Sequence, residues 1–424
     1  MNRVKLYEHQ RRALEQADGR DRVALYHDCG LGKSFSGAEL LHRYGNNINL
    51  VVCQKSMIGM WVNHFRKYYP EYGVIDYTQN KQRIIPNGEI KCVIVVNYEL
   101  IWRRQELADL RKFTLLLDES SLIQHMTTKR TRFILKLCPK NVILLSGTPC
   151  SGKYENLLSQ CRLLGWRITK KEFWDKYIIS NRAMYRGYPM DVVIGYKNID
   201  DLNDQLRDHG AQFLKTEDVF NDMPDQNFIT ISIPTTQEYK KFRKDRVVDI
   251  ENEQLVGDTV LSKILYERML CGQWNENKLA AYMDILESTN DRLVVFYTFT
   301  EELHALSEIT VNAGRPISIV NGKTKSTDNF DTKDNAVIFV QWVAGSKGLN
   351  LQAANKMIFF SPTLSSEDYA QAQKRIHRIG QKRPCFYYKL TCKDSIEEWV
   401  YDTVQRGIDF TDKLFEERER NISK

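Results

Sequence analysis

No stretch of this 424-residue chain approaches the run of about eighteen apolar residues that a membrane-crossing helix requires. The opening Met1-Asn-Arg-Val-Lys-Leu-Tyr-Glu-His-Gln10 lacks the apolar segment of a secretory leader. Nine cysteines are scattered from Cys29 to Cys392; their number is odd and no C-x-x-C pair occurs, which argues against a disulfide framework or a zinc site. Low-complexity segments and repeats of solenoid period are absent too. The excess of Lys+Arg (61) over Asp+Glu (54) leaves a net charge of only +7, which suits a polyanionic partner without identifying one. These absences predict a soluble protein of a reducing, intracellular compartment, with no membrane partner.

A hydrophobic content of 42% over 424 residues supports two cores of ordinary size. Short apolar runs at residues 23–26, 48–53, 92–96, 113–117 and 142–145 each end in a polar, acidic or glycine-containing loop. Helical patterns such as 34–44 and 58–69 lie between them. Such alternation predicts a parallel sheet with crossover helices. A second set at 293–297, 317–320, 336–340, 357–360 and 385–390 predicts another, so the fold class is α/β with two lobes.

The expected boundaries are 1–165 for the first lobe, 166–275 for a mainly helical insertion with the linker, and 276–394 for the second lobe. Residues 395–424 are expected to form a C-terminal brace helix, with Ile396, Trp399, Val400, Val404 and Ile408 near helical spacing and Asp394 or Ser395 as its cap. Within the insertion, the basic cluster Lys240-Lys-Phe-Arg-Lys-Asp-Arg246 reads as an exposed helix face rather than a DNA site. Trp61, Trp342 and Trp399 lie in apolar surroundings and read as core.

The chemistry-bearing motifs follow the strand ends. In Asp28-Cys-Gly-Leu-Gly-Lys-Ser34, Gly30, Leu31 and Gly32 let the backbone wrap phosphates, and Ser34 opens a helix whose N-terminal amides favour anions. Lys33 is placed to reach the β- and γ-phosphates of a nucleotide, and the Ser34 hydroxyl to hold magnesium. A full phosphate-loop pattern needs glycine at 27, where His27 stands, so an ordinary strand–turn–helix remains open. Asp118-Glu119 follows the run 113–117: Asp118 is the candidate metal ligand and Glu119 the group that activates the attacking water. Ser146-Gly-Thr-Pro149 offers small hydroxylated residues that sense the terminal phosphate, although alone it is an ordinary turn. In Gln371-Ala-Gln-Lys-Arg-Ile-His-Arg-Ile-Gly-Gln381, Arg375 and Arg378 share one face if the segment is helical, and supply cations to a transferring phosphoryl group. By itself that segment also fits a basic surface helix.

Taken together, these strings resemble the Snf-type (switch/sucrose non-fermenting) ATPases of helicase superfamily two, the motor class of chromatin remodellers and related bacterial and viral translocases. The most specific string is Arg-Ile-His-Arg-Ile-Gly-Gln at 375–381, and the resemblance covers nearly the whole chain. It implies two RecA-like lobes, ATP and Mg2+ as cofactors, and double-stranded DNA as partner. It further implies Gln10 in Leu6-Tyr-Glu-His-Gln10 as adenine reader and Gly348 in the second-lobe loop 345–351 as a nucleotide contact. DNA phosphates are expected near Lys55, Ser56, Asn97, Lys323, Gly345 and Lys347, giving sequence-independent, salt-sensitive binding. Five positions depart from the pattern: His27; Phe213, where arginine is usual; Ser120-Ser121, where Ala-His stands; and Gln124, usually lysine.

The reading that follows is a bare, monomeric motor tracking duplex DNA, in a bacterial cytoplasm or that of a virus-infected host, acting with a nuclease or replication protein. A strand-separating helicase on DNA or RNA, and an ATP-gated clamp of low turnover suggested by Ser120-Ser121, stay open beside it.

Overall fold

The computed structural model describes residues 5–28, 30–79, 90–150, 152–185, 188–220, 223–250, 253–342, 349–411 and 414–415. The chain divides into two compact units, Met1–Asn221 and Asp222–Lys424.

The first unit is built on strands β1 (Arg22–His27), β2 (Ile48–Cys53), β3 (Gly73–Asp76), β4 (Cys92–Asn97), β5 (Thr114–Asp118) and β6 (Asn141–Leu145). A hairpin of β7 (Ile178–Tyr185) and β8 (Tyr188–Tyr196) stands apart, and β9 (Ala211–Leu214) returns to the sheet. The order is β3-β4-β2-β5-β6-β1-β9, and every pairing in it is parallel.

Both faces of this sheet are buried, which is why its strands read as unbroken apolar runs. Leu50, Val52, Ile94, Val96, Leu115 and Leu117 face one core with Phe133, Ile134 and Phe173. Val51, Cys53, Val93, Val95 and Leu116 face the other. Helices α1 (Glu8–Gln16), α2 (Lys33–Tyr44) and α3 (Ile58–Tyr68) cover that second face with Leu14, Leu41, Trp61 and Phe65. Truncating a buried leucine such as Leu116, 0% exposed, to alanine costs about 2–5 kcal/mol. Because β5, β6 and β1 are parallel neighbours, the loops that leave their carboxyl ends emerge side by side, at spacings near 4.8 Å.

The second unit contains β10 (Gln226–Ile233), a hairpin of β11 (Val247–Ile250) and β12 (Glu253–Val256), then β13 (Leu293–Tyr297), β14 (Ile317–Val320), β15 (Lys325–Ser326), β16 (Val337–Gln341), β17 (Lys356–Phe359) and β18 (Cys385–Cys392). Its sheet order is β10-β18-β17-β13-β16-β14-β15, parallel except for the short β15. The tail helix Ile396–Gln405 contributes Ile396, Val400 and Val404 to the core, with Ser395 as its cap. In that core Lys278 and Glu397, both 0% exposed, form an ion pair at 2.6 Å.

Residues 166–275, expected as a mainly helical insertion, hold the helices Lys170–Tyr177, Ile199–Asp208, Gln237–Asp245 and Val260–Cys271, and with them both hairpins and the edge strands β9 and β10. An edge strand lacks two-sided burial, so β10 carries exposed residues from Gln226 to Thr230 and shows no apolar run. Each edge strand completes the sheet of its own unit, and the two units meet in sequence between them.

Candidate active site

The phosphate loop starts where β1 ends. Gly30 and Gly32 have φ of 95° and 71°, in the left-handed region that glycine adopts without strain. A Cβ at position 32 would lie 2.3 Å from Gln10 Nε2, so a side chain there would also push the Gln10 amide aside. Gln10 Nε2 donates to the carbonyls of Leu31 (3.3 Å) and Gly32 (3.1 Å), and His9 Nε2 to that of Leu31 (3.0 Å). Thus α1 holds the loop from outside. Lys33 opens α2 and its ammonium donates to the carbonyls of His27 (2.7 Å) and Asp28 (3.1 Å), folding onto its own loop. Ser34 is the second residue of α2. On the far side of the loop, Asp28 N donates to the Leu214 carbonyl (2.9 Å), and Thr216 N and Oγ1 donate to Asp28 Oδ2 (3.0 and 3.3 Å). Cys29 lies outside the described residues.

The acidic pair sits at the end of β5. Asp118 is the last residue of the strand, and its Oδ2 accepts the indole N–H of Trp61 at 2.8 Å. Burial lifts its carboxyl to about 6; the Trp61 bond and the Lys33 ammonium act the other way, while Glu119 adds to the rise. Glu119 itself has a φ of 59°, an uncommon conformation for a non-glycine residue. Its Oε1 accepts from Ser121 Oγ (3.0 Å) and Ser146 Oγ (2.8 Å), which fixes the carboxylate from two loops. The Tyr98 hydroxyl donates to the carbonyls of Asp118 and Glu119, at 3.0 and 3.3 Å.

A buried amide joins these loops. Gln160 Oε1 accepts from Tyr26 OH on β1 (3.0 Å) and from Ser120 Oγ (2.7 Å), and its Nε2 donates to the Pro149 carbonyl (2.8 Å). The ends of β1, β5 and β6 are therefore tied through one side chain. Neither Gln160 nor the Trp61 N–H stands out in sequence, because each acts through a contact distant along the chain. The serine pair that replaces Ala-His also gains a role: Ser120 joins this network and Ser121 orients Glu119.

Beside the loop, a cavity of about 550 Å³ is lined by Tyr7, His9, His27, Gln212, Leu214 and Phe220. His27 is 1% exposed, and its Nδ1 has no hydrogen-bond partner among the described residues. Burial, with Lys33 and His9 nearby, holds its imidazole neutral, with a pKa lowered to about 3. Phe213, where arginine is usual, packs against Tyr26 at 5.4 Å between centroids and carries the Arg207 guanidinium over its ring at 5.4 Å.

In the second unit the helix Ser366–Gln373 stops before Arg375, so the two arginines sit on a turn and not on a helix face. The turn still gathers them: Nη1 of Arg375 and of Arg378 donate to the same Leu349 carbonyl, at 3.3 and 3.4 Å. Gln381 secures the turn by donating to the carbonyls of Gln352, Ala354 and Ile376.

Of the candidate DNA contacts, Lys55 and Ser56 are exposed at a short 3-10 turn after β2. Asn97 ends β4 and is buried, its Nδ2 donating to Glu99 Oε2 at 2.7 Å. Lys323 is exposed in the turn after β14. Gly345, Lys347 and Gly348 lie outside the described residues.

The family profile described as "SNF2-related domain" matches residues 9–278, and that of the "Helicase conserved C-terminal domain" residues 277–380. The chain is similar to the SWI/SNF-related matrix-associated actin-dependent regulator of chromatin subfamily A-like protein 1 homolog of Caenorhabditis elegans, 25% identical over 96% of this chain and 61% of that protein. The SWI/SNF-related matrix-associated actin-dependent regulator of chromatin subfamily A-like protein 1 of Drosophila melanogaster is 22% identical over 93% of this chain and 53% of its own length. The chain thus spans little more than half of these relatives. Among solved structures it is similar to the Sulfolobus solfataricus SWI2/SNF2 ATPase core in complex with dsDNA, with 18% identity, a TM-score of 0.47, and coverage of 95% of this chain and 91% of that one. Among the described residues, no helix is long and apolar enough to cross a membrane.

Proposed function

Since the chain belongs to the SNF2-related family, and is thereby a nucleic-acid-dependent ATPase of helicase superfamily two, we propose that it uses ATP to move along double-stranded DNA without separating the strands. The observation that carries the chemistry is the meeting of three loops at the ends of β1, β5 and β6. They present Lys33, Asp118 and Glu119, with Ser146 bonded to the last.

In this reading the amides of 30–34 receive the β- and γ-phosphates, and Lys33 exchanges its carbonyl partners for phosphate oxygens. The cavity containing His27 and Tyr7 stands next to Gln10, where the resemblance places the adenine. Glu119, held by two hydroxyls, draws the proton from the attacking water. Arg375 and Arg378 neutralise charge on the transferring phosphoryl group.

The donor set suits magnesium: Asp118 is a buried carboxylate whose pKa is raised by that burial, and Ser34 offers a hydroxyl. When bound, the ion would offset phosphate charge.

The name of the relatives, regulators of chromatin, supports DNA as the polymer. The free cysteines among the described residues, of which Cys53, Cys92, Cys161, Cys271, Cys385 and Cys392 are buried, suit a reducing compartment such as the cytoplasm. The bond from Ser121 to Glu119 favours turnover over a low-turnover clamp, since it orients the carboxylate on which hydrolysis depends.

The deciding experiment compares ATPase stimulation by duplex DNA, single-stranded DNA and RNA, and runs triplex displacement beside fork unwinding. Duplex stimulation with displacement of the third strand and an intact fork is expected. Unwinding of the fork, or stimulation by RNA alone, would replace this reading with the helicase one.

A further inference from the structure

The carboxyl end of the second unit's sheet carries a basic concavity that the ATPase chemistry does not use. Helix Gln237–Asp245 follows β10, and Lys393 follows β18, its parallel neighbour, so both lie at the same end of the sheet. There Lys240, Arg243, Lys244 and Lys393 line a cavity of about 530 Å³ whose floor includes Pro234 and Tyr239. Asp394 is the one carboxylate in its lining, against these four cations.

Its walls are fastened to each other. Arg243 Nη1 donates to the Asp394 carbonyl at 2.8 Å, and the Tyr239 hydroxyl accepts from Ile396 N at 2.9 Å while donating to Glu267 at 3.2 Å. Lys240, Lys244 and Lys393 are exposed, and among the described residues none of their ammonium groups has an ion pair or a hydrogen bond. Like charges gathered around one hollow repel, and an anion seated there relieves the repulsion.

We propose that this concavity holds the phosphate backbone of duplex DNA, as a contact additional to those carried by the family motifs; the proposal rests on the duplex reading above. Lys323, in the turn after β14, occupies the same end of the sheet. From β14 to β10 the order β14-β16-β13-β17-β18-β10 makes five strand steps, about 24 Å in all. That length matches roughly seven phosphates of one DNA strand at 3.4 Å of axial rise each. Ligands of open α/β sheets sit outside the carboxyl ends of the strands, and a stiff polyanion lying there reaches both cation groups. An acidic peptide suits the site less well, because peptide docking needs an apolar anchor. Tyr239, the aromatic residue of the lining, is only 2% exposed.

The test is the full chain with Lys240→Ala, Lys244→Ala and Lys393→Ala combined, titrated with fluorescent duplex at several salt concentrations. All three side chains are exposed, and circular dichroism with thermal melting verifies the fold. Duplex affinity is expected to fall about tenfold or more, and the slope of log K against log salt to shrink by roughly 2–3, near 0.9 per lost phosphate contact. The corresponding triple Lys→Arg variant should keep the wild-type slope. An unchanged slope and affinity in the alanine variant overturn the site while leaving the translocase reading intact. Loss of polyglutamate binding with duplex binding retained would reassign the hollow to acidic peptides. A wild-type chain that binds no duplex would overturn both readings.

Discussion

Ser146 donates its hydroxyl to Oε1 of Glu119 across 2.8 Å, joining the loop after β6 to the carboxylate after β5. Ser146 Oγ also accepts from Thr148 N at 3.2 Å, so the orientation of Glu119 depends on the fold of the loop 146–149. A group that feels the terminal phosphate through this loop would therefore move the base itself.

Removing either hydroxyl should loosen Glu119. Hydrogen bonds to charged groups are worth about 1.5–3 kcal/mol, so Ser121→Ala and Ser146→Ala should each lower kcat by roughly 10- to 100-fold with KM for ATP little changed. The double variant should lose less than the product of the two, since both hold one oxygen. Steady-state kinetics with saturating DNA decide it, and wild-type kcat in both single variants would contradict the assignment.

Glu119→Gln should preserve nucleotide affinity while hydrolysis drops by orders of magnitude. Lys33→Ala should weaken nucleotide binding as well. Fluorescent-nucleotide titration and single-turnover hydrolysis measure the two effects separately.

The Asp118 carboxyl, lifted to about 6 by burial, must be ionised to hold a cation. kcat/KM for ATP in the free enzyme should fall as pH drops through about 6, toward tenfold per unit below it. The Trp61 indole N–H favours the ionised form, so Trp61→Phe should move this acid limb to higher pH. A limb that stays in place in the variant would show that another group controls it.

Arg378→Ala should cost roughly 10³-fold in turnover if the residue acts on the transferring phosphoryl group. Duplex affinity without nucleotide should hardly change. Loss of DNA binding with hydrolysis intact would reassign Arg375 and Arg378 to the phosphate backbone.

For stability, the buried pair Lys278–Glu397 gives a test independent of activity. Lys278→Met alone strands a buried carboxylate and should destabilise the second unit by about 3–5 kcal/mol. Adding Glu397→Leu should recover much of that loss in denaturant titrations. Equal destabilisation by the single and double variants would mean that packing, not charge, dominates the site.

Much of the fold could be read along the chain, because a strand buried on both faces cannot hide its apolar run, as Ile48–Cys53 and Leu293–Tyr297 show. The edges could not: β9 has only four residues, and six of the eight residues of β10 are exposed, so it carries no buried apolar run. In the candidate site, Lys33, Asp118 and Glu119 were legible from their position after apolar runs. Trp61 was recognisable as core, at 0% exposure, but not as a donor to Asp118. Ser121 looked like a lost imidazole, since its bond to Glu119 exists only once the loop takes its φ of 59° at Glu119. Local pattern reports burial; it does not report which polar atoms burial brings face to face.

The stitching of Asp28 to Leu214 and Thr216 has a mechanical consequence. The chain passes from β9 through Thr216 toward the second unit, and β9 lies parallel to β1 in a register of four residue pairs, Ala24↔Ala211 to His27↔Leu214. Tension applied beyond Thr216 is therefore borne in shear by that whole ladder at once, and it enters the phosphate loop directly at the Asp28 carboxylate. The loop that grips the nucleotide is in this way the first element to register load on the connecting chain, so a pulling experiment at Thr216 should change nucleotide off-rate before it unfolds the sheet.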